Sequence, residues 1–139
     1  MIQRSQSIWL LLAAVCAFLT IQFPFFYINS TTPGIATIEF TAKNNLLLVV
    51  LTSILGASLL FLIFLYKNRK LQLRLTALTF AVSLLNVYLF FQYGYIAQNP
   101  KPGIALSSVF AFFIPVFCVL AMMGIRRDMK LIKSLDRIR

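Results

Sequence analysis

The chain has 139 residues, of which 60% are hydrophobic and only 12% charged, with a formal net charge of +10. A soluble domain carries roughly a quarter charged residues and a sphere this small hides little surface, so the apolar excess calls for lipid as its solvent. Nucleic acid is a poor explanation of the charge, because the Lys and Arg gather between apolar runs instead of covering one aromatic-lined face.

The chain opens Met1-Ile2-Gln3-Arg4 ahead of an apolar run over residues 8–28. That run outlasts a signal-peptide core and carries Phe23, Phe25 and Phe26, and Val15 is a poor residue before a lipid-modified Cys16, so an uncleaved first span is expected. Arg4 should anchor it in headgroups, with Ser5 or Ser7 as its cap and Trp9 at interface depth. Gln3 and Gln6 read as hydrated amides beside the headgroups, or else as contacts to a partner protein. The first connection, residues 29–45, begins with the turn-like Asn29-Ser30-Thr31-Thr32-Pro33-Gly34 and alternates only partly from Ile35 to Thr41. A short β-hairpin and an irregular loop both fit that pattern.

Three more apolar runs follow, over residues 46–66, 75–96 and 104–125, none containing Asp, Glu, Lys or Arg. Each comes close to the ~20 helical residues that cross a bilayer core, and the alternation of a barrel strand is missing. The expected architecture is therefore an all-α integral membrane protein, a four-transmembrane-helix bundle formed as one domain by residues 1–139. Residues 67–74 read as a tight basic link, and Lys101-Pro102-Gly103 as a turn with Pro102 opening the fourth helix. Arg4, four cations of the second connection and six of the tail place eleven Lys and Arg on one side, against Lys43 and Lys101 on the other. The positive-inside rule then puts both termini in the cytoplasm. The tail, residues 126–139, spaces Met129, Ile132, Leu135 and Ile138 about three apart, with Arg126, Arg127, Lys130, Lys133 and Arg137 between them. It reads as an amphipathic basic helix extending the fourth span or lying on the inner leaflet, or as a solvated tail; the five cations are candidate contacts to anionic lipid.

Within the spans, Thr76, Thr79, Ser83, Asn86 and Tyr93 recur at helical steps on one face, which must point to protein because lipid offers no hydrogen-bond partner. Asn86 falls near mid-membrane, where an unsatisfied amide is costly. Pro115, also near mid-membrane, deprives the Ala111 carbonyl of its helical donor, and Asn86 is expected to supply it. Small pairs at close-packing intervals (Ala13/Ala17, Thr52/Gly56, Ser53/Ala57, Ser107/Ala111) suit helix contacts.

Parts for catalysis are scarce. The carboxylates Glu39, Asp128 and Asp136 lie outside the spans, there is no His, and no Lys reaches a span, so paired-acid, His-based and Ser-Lys chemistry are not expected. Cys16 and Cys118 form no CxxC and read as small buried hydrophobes; no metal or cofactor is expected. Ion pathways usually carry an intramembrane ionisable residue, and the spans offer none. The first run lacks the embedded Glu of small four-helix multidrug exporters, and the missing CxxC sets the chain apart from four-helix disulfide oxidases and quinone reductases.

The opening Met1-Ile2-Gln3-Arg4-Ser5-Gln6-Ser7-Ile8-Trp9, followed by four spans and a basic tail, resembles a family of small uncharacterised four-transmembrane-helix bacterial membrane proteins. The resemblance implies the bacterial inner membrane and brings no catalytic motif. The expected function is a non-enzymatic accessory subunit or assembly factor, with membrane lipids and a membrane-protein partner or a second copy as its contacts. The alternative is a small channel or carrier for a neutral or apolar solute, lined by Asn86, Gln92 and the Ser/Thr positions; a lipid-interacting role of the tail is a third.

Overall fold

The structure, a computed structural model, describes residues 3–28, 38–96 and 102–136. Its elements in chain order are α1 (Gln3–Gln22), β1 (Phe26–Ile28), β2 (Ile38–Phe40), α2 (Leu46–Phe64), α3 (Arg69–Phe91), β3 (Gly103–Ile104) and α4 (Val109–Asp136). Consecutive helices run antiparallel, and α1 and α3 each pack on both α2 and α4, closing a ring. Among the described residues three helical stretches are long and apolar enough to cross a membrane: Leu46–Phe64, Arg69–Gly94 and Leu106–Ser134. The first helix contributes the shorter apolar stretch Gln6–Gln22.

Each helix buries one seam, and the four seams share a period. They run Gln6, Leu10, Ala13, Ala17, Thr20 on α1; Leu48, Thr52, Leu55, Leu59, Leu62 on α2; Gln72, Thr76, Thr79, Ser83, Asn86, Phe90 on α3; and Ala111, Ile114, Cys118, Ala121, Ile125, Asp128 on α4. Every step is three or four residues in strict alternation, the 3.5-residue repeat that keeps one stripe facing its neighbours in a packed bundle. Small residues on α1 and α4 let backbones approach, and on α2 the Phe18 ring lies 3.2 Å from where a Cβ on Gly56 would stand. The seams of α1, α2 and α4 build one apolar cluster around Leu10, Leu55, Leu59, Ile114 and Cys118.

The expected first span, residues 8–28, is not helical throughout. α1 stops at Gln22 because Pro24 has no amide to donate and its ring disfavours helical geometry at Phe23. The chain turns instead into β1, which pairs antiparallel with β2 (Phe26 opposite Phe40) and with β3 (Phe26 opposite Ile104) in the order β2-β1-β3. Of the two possibilities left open for the first connection, β structure is present, but one strand comes from the supposed span and a third is added from the far connection. This sheet caps the end opposite the termini. Phe25, Phe26, Phe40 and Phe90 are buried beneath it with Leu48 and Ala111, the Phe25 and Phe90 rings stacked at 4.5 Å. Gly94, in the π-helical turn after α3, faces these rings without a side chain.

Other boundaries shift for local reasons. Asn45 caps α2 by accepting from the Leu47 amide at 3.1 Å, a normal N-cap. The basic link is shorter than residues 67–74, since α3 starts at Arg69 and its first two turns take up Arg69, Lys70 and Arg74. Pro102 does not open α4; it precedes β3, and the helix follows a 3-10 turn over Leu106–Ser108. Ser5 and Ser7 lie inside α1 instead of capping it. The tail is continuous with α4 through Asp136, so it extends the fourth helix.

Candidate functional site

The polar seam of α3 is buried as its periodicity requires, with Thr76, Thr79, Ser83 and Asn86 each at most 5% exposed. Its hydroxyls satisfy themselves: Thr76 donates to the Gln72 carbonyl at 2.7 Å, Thr79 to Thr76 at 2.9 Å and Ser83 to Phe80 at 2.7 Å. Such back-bonding lets Ser and Thr sit in an apolar interior, and Thr79 also shares a side-chain hydrogen bond with Cys118 of α4. Tyr93, expected on the same face, is only half-buried.

Asn86 does reach another helix, but not the one expected. Its Oδ1 accepts from the Thr52 hydroxyl of α2 at 3.2 Å, while Nδ2 is buried without a partner, so the proposed bond to the Ala111 carbonyl is not made. Ala111 instead belongs to the aromatic cluster beneath the sheet, and Pro115 is buried within α4. One bond and one orphaned donor nearly cancel. Asn86→Leu is therefore expected to change stability by no more than about 1 kcal/mol, read as the thermal unfolding midpoint in detergent. A drop beyond about 2 kcal/mol would mean that Nδ2 is engaged.

At the end that carries the termini, the seams finish in polar side chains. Gln6 and Asp128 are 5% and 3% exposed, and Gln6 Nε2 donates to Asp128 Oδ2. Gly124 makes this possible, since a Cβ there would stand 2.9 Å from Gln6 Cγ. The Arg69 guanidinium approaches the same carboxylate oxygen at 3.9 Å, and Asp128 Oδ1 has no partner. Beside them Gln72 Nε2 donates to the Leu62 carbonyl at 3.0 Å, joining α3 to the last turn of α2. The reading of Gln6 as a hydrated amide is thus corrected, and Asp128, expected only to lie beyond the apolar runs, is buried at the end of the bundle. Asp128 continues the α4 seam one step past Ile125, so the 3.5-residue repeat was the signal that could have found it.

Two clefts flank Arg69. One, of about 520 Å³, lies between α1 and the link after α2, lined by Gln6, Ser7, Ile63, Tyr66 and Gln72 among others. The larger, of about 880 Å³, lies between the start of α3 and the end of α4. Of the expected lipid contacts, Lys133 lines this larger cleft; Arg126, Arg127 and Lys130 are exposed on α4 outside its lining, and Arg137 lies outside the described residues. Arg69, Lys70 and Arg74 join Lys133 there. Among the described residues no three His, Cys, Asp or Glu come together as a metal-binding group.

Residues 2–138 match the family described as Domain of unknown function (DUF4293), nearly the whole chain, in keeping with the resemblance to an uncharacterised family. No curated protein and no solved structure matches.

Proposed function

The chain belongs to this family of domains of unknown function, and from that premise we propose a non-enzymatic membrane protein that binds another integral membrane protein as its accessory subunit or assembly factor. In this reading four helices cross a bacterial inner membrane with both termini in the cytoplasm, as the eleven-to-two split of basic residues favours. The observation that carries the partner reading is the outer face of α2. Leu46, Val50, Ile54, Ala57, Phe61 and Phe64 are all exposed, and half-buried Ser53 lies one turn before Ala57. Of the four small-residue pairs, this one lies on the outside of the ring, where a foreign helix can approach closely.

The channel reading draws less support: Asn86 and Thr52 are 1% and 0% exposed, and neither residue lines the two clefts described above. Purification from the native membrane in mild detergent should recover the chain with a second membrane protein, and Ala57→Phe should lose that partner while keeping its unfolding midpoint. Recovery alone or solely as a homo-oligomer, or an Ala57→Phe protein that retains its partner, would count against the proposal.

A further inference from the structure

The larger cleft combines features that a solvated basic face does not need. Four cations line it: Arg69, Lys70 and Arg74 from the first turns of α3, and Lys133 from α4. Lys70 and Arg74 stand one helical turn apart, where like charges repel. The first turn of α3 holds no acidic residue and its N-cap, Asn68, makes no side-chain capping bond. Cations at a helix start face the positive end of the macrodipole, so this end is electrostatically unfavourable twice over. Only two of the chain's three carboxylates are near in sequence, and Asp128 is already engaged by Gln6 and Arg69. An anion seated in the cleft would relieve both penalties.

We propose that this cleft binds one anionic phospholipid through its headgroup phosphate. Lipid is favoured over a free anion because Leu71, Met129 and Ile132 share the lining, and Leu71 and Ile132 are exposed. Both walls are also continuous with helices long and apolar enough to cross a membrane. The phosphate then sits among Lys70, Arg74 and Lys133, with the uppermost acyl carbons on the apolar residues, an arrangement that basic pockets between helices offer to lipid headgroups. Arg69, held towards Asp128, sets the inner wall. The inference rests on the membrane placement and not on the proposed protein partner.

The test uses the full-length chain, delipidated in mild detergent. Added phosphatidylglycerol should raise the unfolding midpoint by about 5 °C, whereas phosphatidylcholine or inorganic phosphate at equal concentration should not. Arg74→Gln with Lys133→Gln should remove most of that rise, while Lys43→Gln with Lys101→Gln, an equal loss of charge in the other connections, should keep it. Native mass spectrometry of the unaltered protein should show one retained phosphatidylglycerol, which keeps the test decisive if the cleft variant folds poorly. The proposal is overturned by an equal effect of phosphatidylcholine, by phosphate alone reproducing the shift, or by retention of no lipid. A rise undiminished in the cleft variant would overturn it too, as would an equal loss in Arg126→Gln with Arg127→Gln.

Discussion

Gly94→Ala should unfold in detergent well below the natural sequence, at a cost of about 2–3 kcal/mol for a single methyl group. The turn after α3 lies directly against the sheet, and a Cβ at Gly94 would overlap the Phe26 ring and stand 3.2 Å from Phe40. Phe26 cannot swing aside: it is fully buried, with the Phe25 ring at 4.8 Å and the Phe91 ring at 5.6 Å. Relief must come from the backbone, either by lifting the sheet from the bundle or by unwinding the turn. Adding Phe26→Leu to Gly94→Ala should recover part of the loss, because the smaller side chain vacates the space that the methyl needs. Strictly additive losses, or an unchanged midpoint for Gly94→Ala, would show that the sheet does not rest on this glycine.

Asp128→Ala should cost about 3 kcal/mol, and Asp128→Asn about 1 kcal/mol. Removing the carboxylate strands the Gln6 amide at a buried position, whereas Asn keeps an acceptor oxygen there. The two partners of Asp128 do not weigh equally. Gln6 makes a charge-assisted hydrogen bond, but the Arg69 nitrogen, 3.9 Å away with 22% of its side chain exposed, is beyond hydrogen-bond reach and partly screened. Double-mutant cycles on the unfolding midpoint should therefore give Gln6 and Asp128 a coupling of about 1–2 kcal/mol, and Arg69 and Asp128 less than about 0.5 kcal/mol. A larger coupling to Arg69 would make the ion pair, not the amide, the principal tie.

The helices were legible because their apolar runs are long and uninterrupted, and the buried face of α3 was legible because its polar residues recur at helical spacing. The sheet was harder to see. Phe25, Phe26, Tyr27 and Ile28 are as apolar as any span, and only Pro24 marked the change of conformation. Hydropathy cannot tell a strand beneath aromatic rings from the last turn of a helix. Asp128 was missed because it follows two arginines, and a carboxylate in a basic stretch looks like a surface residue until the seam is counted through it. Asn86 was placed on the buried face but given the wrong neighbour, since periodicity tells which way a side chain faces and not which helix stands opposite. The larger cleft joins residues about 60 positions apart in sequence, so no local pattern could have revealed it.

The contact between Gln6 and Asp128 spans 122 residues, and β1 gains its second neighbour only from residues 103–104. Synthesis proceeds from the N-terminus. The first helix is therefore made long before two of its fastenings exist: α2 and β2 reach it early, but the Gln6 amide has no acceptor until the last helix arrives, and β1 keeps one open edge until residues 103–104 are made. The fourth helix is the closing stave of the ring, and until it is in place the first one has a side without its neighbour.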